Sequence, residues 1–274
     1  MKNNHFTQNF TSLILLSIFL LFLTACNRRD TSTLTIASGN LRKEVFALVS
    51  SAENSTLDYS KQYSYIEDIK DGRGYTAGII GFTSKNGVLL DVIRYYTSLS
   101  PNNSLKKYIP ALKKVKGTSS HKGLGINFVK VWKQSSKTSA MIKAQNHVLN
   151  KQYMEPAISN AKKDHLSPLG QYIYYDALVV HGDGSDIDSF GGIRKNAIKK
   201  AKTPSKGGSE SHYLYTFLKV REKVMLKEKA HKNLSRIKVQ RKFIKERNWN
   251  LTLPLSWTMY GDSYYLDKSK LKKL

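Results

Sequence analysis

The chain has 274 residues, with 45 Lys and Arg against 20 Asp and Glu, a formal net charge of +25. At 40% hydrophobic residues with 17 Gly and 6 Pro, it is too apolar for a disordered chain and too poor in Gly and Pro for collagen or a low-complexity linker. Its single cysteine excludes an intrachain disulfide framework and a multi-cysteine zinc site.

Residues 13–23 are apolar apart from Ser17. That run is too short to span a bilayer core, which takes roughly 20 residues, and fits the apolar region of a secretory signal. Leu23-Thr24-Ala25-Cys26 follows and resembles a bacterial lipobox, with the only cysteine at the place of lipid attachment. The expectation is a lipoprotein signal peptide over 1–25, a polar tether over 26–36 and a folded domain over 37–274. The protein would then be an extracellular, cell-surface lipoprotein held to the membrane through Cys26 alone; free secretion is the alternative.

Leu41, Val45, Leu48, Val49 and Ala52 recur at helical spacing and predict an amphipathic helix over 41–53. Residues 63–69 alternate in part and lead into Asp71-Gly72-Arg73-Gly74, a turn signal. Residues 76–83 read as a second strand, closing a small hairpin. Beyond them helical patterns dominate: 88–98, 105–115, 128–150, 166–181, 193–201 and a long run over 212–247. Loops fall at 101–104, 117–125, 182–192 and 204–210. The fold class is mainly α with a small β hairpin.

Five of the 20 acids (Glu53, Asp58, Glu67, Asp68 and Asp71) fall within 19 residues of this basic chain. Such a patch suits a cationic ligand, a metal or acid–base chemistry. Glu53 extends the apolar stripe at the C-terminal end of its helix, where partial burial and the helix dipole both favour a protonated carboxyl, as a general acid requires. Asp71 sits in a Gly-flanked turn beside Arg73, which favours the ionised form that a base needs. A protonated Glu and an ionised Asp form the pattern of glycoside hydrolysis.

Several longer segments are more specific. They include Ser51-Ala52-Glu53-Asn54-Ser55-Thr56-Leu57-Asp58, Tyr65-Ile66-Glu67-Asp68-Ile69, Asp71-Gly72-Arg73-Gly74-Tyr75-Thr76 and Gly78-Ile79-Ile80-Gly81-Phe82. Downstream come Leu169-Gly170-Gln171, Tyr174-Tyr175-Asp176-Ala177, Ser189-Phe190-Gly191-Gly192-Ile193-Arg194, then Arg221, Glu228, His231 and Ser235-Arg236. Together they strongly resemble the glycoside hydrolase family 46 chitosanases, from about Leu41 to the C-terminus. The resemblance implies a two-lobed, lysozyme-like fold with a central substrate cleft. It implies endo-hydrolysis of β-1,4 bonds in chitosan with inversion, without cofactor or metal, by a monomer that binds no nucleic acid. It places the general acid at Glu53, the base at Asp71 and a water-holding hydroxyl at Thr76. Substrate contacts fall on Tyr65, Arg73 and Glu228, and an interior network on Asp176, Arg221 and Arg236.

The chain departs from the family pattern at Val88, where relatives usually carry an acid that helps grip a glucosamine amine, and at Lys232, where they often carry an acid; these changes point toward partly acetylated chitosan or toward low activity. A muramidase-like peptidoglycan hydrolase and a non-catalytic, polyanion-binding surface lipoprotein are the alternatives. Residues 217–247 carry twelve Lys and Arg, but their apolar positions predict a helix docked on the core. Asp183, Asp186 and Asp188 lack the order and closing Glu of a calcium loop and read as structural.

Overall fold

The computed structural model describes residues 34–227 and 232–274. The expected signal peptide, Cys26, residues 27–33 of the expected tether, Glu228 and His231 lie outside them. Leu34–Leu274 pack as one compact unit. Packing begins just before the expected boundary at 37. Ile36 is fully buried, its N–H donates to Gln171 Oε1 (3.1 Å), and Gln171 Nε2 donates to the Leu34 carbonyl (3.1 Å).

The centre of the fold is a helix, α7 (Pro168–His181), buried at every position from Pro168 to Leu178. A helix apolar on all sides belongs inside a protein. Ser167 caps it, its hydroxyl accepting from the Gly170 N–H, and Pro168 starts it without losing a needed donor. Around α7 lie α1 (Gly39–Asn54), α6 (Glu155–Lys163), α8 (Phe190–Ile198) and α10 (Ser235–Lys245). A second group is built on α2 (Val88–Leu99) packed against α5 (Ser139–Leu149), with α3 (Ile109–Val115) and α4 (Gly125–Ser135). Helix α9 (Glu210–Met225) packs between α8 and α10.

Among the described residues two antiparallel sheets complete the fold. The first has three very short strands in order, β1 (Ile66–Glu67), β2 (Thr76–Ala77) and β3 (Phe82–Thr83), with Glu67 opposite Thr76 and Thr76 opposite Thr83. The single strand expected over 76–83 is therefore two, because Gly78 (φ +79°) and Gly81 (φ +72°) reverse the chain between them. A Cβ at Gly78 would lie 2.4 Å from Gln145 Oε1, so only glycine fits there. That fully buried amide accepts from the Ile79 N–H (3.1 Å) and donates to the Tyr63 carbonyl (2.8 Å), stitching the sheet to α5.

The second sheet, β4 (Leu255–Met259) with β5 (Asp262–Leu266), was not anticipated. Its loop is Tyr260-Gly261, both at positive φ, as a tight two-residue hairpin turn requires. The helices α6 and α11 (Lys268–Lys273) are further additions. The expected helix over 128–150 is interrupted at Ser136–Thr138, where the Thr138 hydroxyl accepts from the Met141 N–H and caps α5. The run over 212–247 is likewise two helices, α9 and α10. Leu234 takes a left-handed backbone just before α10 (φ +56°).

Candidate active site

The five clustered acids have different fates. Asp58 accepts from the N–H and hydroxyl of Ser60 and caps the short 3-10 helix Tyr59–Ser64. Those hydrogen bonds hold its carboxyl below the usual value. Asp68 accepts from the Lys70 N–H (2.9 Å) and lies 3.7 Å from His121. Glu67 accepts from the Tyr65 hydroxyl (3.2 Å). Asp58 and Asp68 thus shape the loop itself. Glu53 and Asp71 are tied into charged constellations and remain about equally open, each side chain 32% exposed.

Asp71 is positioned by its own turn. Its Oδ1 accepts from the Arg73 N–H (3.0 Å) and its Oδ2 from Arg73 Nε (2.6 Å). Gly72 and Gly74 both have positive φ, and a Cβ on Gly74 would lie 2.3 Å from Ser84 Oγ. That hydroxyl is needed where it is, because it accepts from the Tyr75 N–H (3.0 Å). One turn of chain thus presents Asp71 and Arg73 while the next residues, Tyr75 and Thr76, run inward. Thr76 is buried, and its Oγ1 has no hydrogen-bond partner among the described residues. Burial raises the Tyr65 hydroxyl above its ordinary value, and the charges of Glu67, Arg73 and Asp71 all act on it. Tyr65, Glu67, Asp71 and Arg73 therefore form one polar group at the sheet, with Thr76 opposite Glu67 in register.

Glu53, on the last turn of α1, belongs to a second constellation. Arg236 donates through one Nη to Glu53 and through the other to Asp176. Arg221 donates to the other Asp176 oxygen (2.7 Å), to the Asp176 carbonyl (3.3 Å) and to His181 Nε2 (3.1 Å). Gln240 Nε2 also donates to Asp176 (2.8 Å). Asp176, Arg221, Arg236 and Gln240 are all essentially inaccessible. The order Glu53–Arg236–Asp176–Arg221 alternates in sign; the formal charges cancel with Glu53 ionised and leave +1 when Glu53 carries a proton. Such compensation is what makes buried ions tolerable. Burial alone would push the Asp176 carboxyl up, but Arg236 and Arg221 outweigh it and hold it well below the carboxylate range. Burial pulls Arg221 down, whereas Glu53 and Asp176 outweigh burial at Arg236 and keep it well above its usual value.

The structure thus brings Asp176, Arg221 and Arg236 together behind Glu53. It gathers Tyr65, Asp71, Arg73 and Thr76 around the three-stranded sheet. Sequence reasoning assigned no role to Gln240 or His181. Gln240 lies one turn beyond Arg236 on α10, and a buried amide amid apolar residues is itself a signal, since it must find partners. Val88 is the buried first residue of α2, and Lys232 is exposed. Asp186 accepts from the Asp188 and Ser189 N–H groups, while Asp188 pairs with Lys227. Among the described residues no group of three or more His, Cys, Asp or Glu is placed to hold a metal ion.

Comparison with known proteins follows the same lines. A chitosanase of a Streptomyces species is 53% identical over 228 residues, covering 82% of each chain. One from a Nocardioides species is 54% identical over 221 residues, covering 80% of this chain and 79% of its own. A chitosanase solved in co-crystals with substrate superposes with a TM-score of 0.83 at 47% identity, covering 86% of this chain and all of the other. The fold is that of these relatives, mostly helical with small antiparallel sheets. The profile of glycosyl hydrolase family 46 matches residues 47–255, and the chain belongs to that family.

Proposed function

We propose that the protein is an endo-acting chitosanase that cleaves β-1,4 glucosaminidic bonds with inversion, using Glu53 as general acid and Asp71 as general base. The relatives' names supply the substrate class. The observation that carries the assignment within this chain is the charge chain ending at Glu53. It is a buried, self-compensating network whose one partly open member is a carboxylate.

The chemistry follows from these surroundings. Glu53 gives its proton to the glycosidic oxygen as the bond to the anomeric carbon breaks. Arg236 then faces the carboxylate that remains, and Asp176 and Arg221 keep that guanidinium from swinging away. On the other face of the sugar, Asp71 takes a proton from the water that attacks the anomeric carbon. An inverting pair needs roughly 6.5–9.5 Å between carboxyls to admit that water. The buried, unpaired Thr76 hydroxyl is suited to hold it, and Tyr65 and Arg73 flank the same sheet as sugar contacts. Glu228 is proposed as a further contact. The clustered acids favour a polycationic chain against the general charge of the protein.

The test is hydrolysis of highly deacetylated chitosan with product anomers followed by NMR. The wild type should release α-anomers, and Glu53→Gln should lose at least about a thousandfold in kcat, as expected when a positioned proton donor is removed. Release of β-anomers would overturn the inverting assignment; an active Glu53→Gln would overturn the acid. We also propose a monomeric, extracellular lipoprotein anchored through Cys26. Metabolic labelling with a fatty acid, lost in Cys26→Ser, tests the anchor.

A further inference from the structure

The net charge of +25 opposes binding of a polycation, so its placement calls for a reason. Part of it lines a groove of about 530 Å³ between α8, α9 and the loop after α7. That volume is within the range of roughly 300–1,000 Å³ usual for small-molecule sites. On α9 the groove is built at helical spacing by His212, Thr216, Lys219 and Lys223, with Val220 and Val224 as its floor and Lys227 in the turn just past the helix end. Eleven residues separate His212 from Lys223, about 16 Å along the axis at ~1.5 Å per residue. Across the groove stand Lys200 and Ile187, the latter 65% exposed.

The groove faces away from the charge chain. Arg221 is two positions from both Lys219 and Lys223, hence on the opposite side of α9, and it is fully buried. The one carboxylate in the lining, Asp188, is occupied by Lys227 at 2.5 Å. Lys200, Lys219 and Lys223 have no ion-pair partner among the described residues. The rim is therefore cationic and the floor apolar. Like charge excludes a glucosamine chain. A bare polyanion would leave the apolar floor unused, and no Phe, Tyr or Trp lines the groove for a base to stack on.

We propose that this groove binds an anionic, single-chain amphiphile: an acyl chain along Ile187, Val220 and Val224 with a phosphate-bearing head between Lys200, Lys219 and Lys223. Charge complementarity at the rim selects the head, and apolar burial holds the chain. The site is independent of the catalytic assignment.

The experiment is calorimetric titration of the protein with myristoyl lysophosphatidylglycerol below its micelle concentration. Myristoyl lysophosphatidylcholine, inorganic phosphate and a DNA oligonucleotide are the comparators. One-to-one binding is expected, at least about tenfold tighter for the anionic lipid than for the zwitterionic one. Lys219→Glu with Lys223→Glu should abolish that preference. Val220→Gln should weaken binding of both lipids, with melting temperature and chitosan hydrolysis unchanged in every variant. Equal affinity for the two lipids, or no saturable lipid binding, would overturn the proposal. Phosphate or DNA binding as tightly as the lipid, untouched by Val220→Gln, would replace it with a plain polyanion surface.

Discussion

Two buried aspartates in this molecule are each held by arginine, and they are built differently. Asp176 lies between Arg221 and Arg236, both of them buried, and the chain of charges runs on to the partly open Glu53. Asp164 receives two hydrogen bonds from Arg194 and one from the Tyr174 hydroxyl (2.6 Å), which also meets the Tyr213 hydroxyl. That second group closes on itself, and Arg194 keeps 24% of its side chain exposed. One network leads to a partly open carboxylate, Glu53; the other ties α8 and α9 to the end of α6. Buried ion pairs in general are weak evidence of stability or of function. What separates these two is where the chain of charges ends.

Neutralising each aspartate sharpens the contrast. Asp176→Asn leaves the inaccessible Arg221 without a carboxylate and Arg236 with Glu53 alone, and should cost about 3–5 kcal/mol of stability. Activity per folded molecule should fall as well, since Arg236 loses the partner that fixes it against Glu53. Asp164→Asn should cost about half as much, because Arg194 can turn toward water, and the folded fraction should hydrolyse chitosan at the wild-type rate. Urea unfolding and kcat measured on the same samples test both halves. If the two variants lose kcat equally, the distinction between an open and a closed network fails.

Glu44 supplies the case with no cation at all. It is buried on α1, its Oε2 has no hydrogen-bond partner among the described residues, and burial raises its carboxyl from 4.5 to about 7. The native state therefore binds the proton more tightly than the unfolded chain does. Its contribution to stability is fully present below the unfolded value and is lost as pH rises from about 4.5 through about 7. The loss amounts to about 3 kcal/mol for a shift of that size. Glu44→Gln should flatten this slope and be the more stable protein above pH 7, read by urea unfolding across a pH series. A wild-type stability that rises through that window would contradict the buried, unpaired carboxyl. Asp176, low in its range, should contribute no slope there.

The contrast also bears on what the sequence could reveal. The helices of the core were legible because their apolar spacing is local: α1, α2 and α7 lie within a few residues of their expected bounds. The split of 128–150 was hidden because Phe128, Trp132, Met141 and Val148 keep a buried face on both sides of the Thr138 cap. Hairpin β4–β5 carried a readable signal, Leu255, Trp257 and Met259 alternating inward ahead of Tyr260-Gly261, that helical patterns upstream overshadowed. The charge chain had no local signal. Glu53 and Arg236 are 183 positions apart, and Asp176 and Arg221 are 45 apart. Only the longer family segments could place them together. The turn at Asp71 was readable from its glycines, whereas its clasp by Arg73 side chain and backbone needed coordinates.

The smallest expected effect lies at Val88, where the family resemblance leads one to expect an acid. Val88 opens α2 after Gly87, a position where the helix dipole favours a negative charge. Its N–H is already occupied by Asn86 Oδ1 (3.0 Å), so a carboxylate there would keep its oxygens for a ligand. Val88 is only 8% exposed, so Val88→Asp should cost some stability, and it should lower KM for highly deacetylated chitosan by a few fold, equivalent to about 0.5–1 kcal/mol for one added ion pair. It should leave kcat unchanged and have less effect on partly acetylated substrate. Added salt should reduce the gain only in part, because a sheltered amine–carboxylate contact is screened less than an exposed one. A KM that does not move, or one that moves equally for both substrates at high salt, would mean that this end of α2 does not touch the sugar amine.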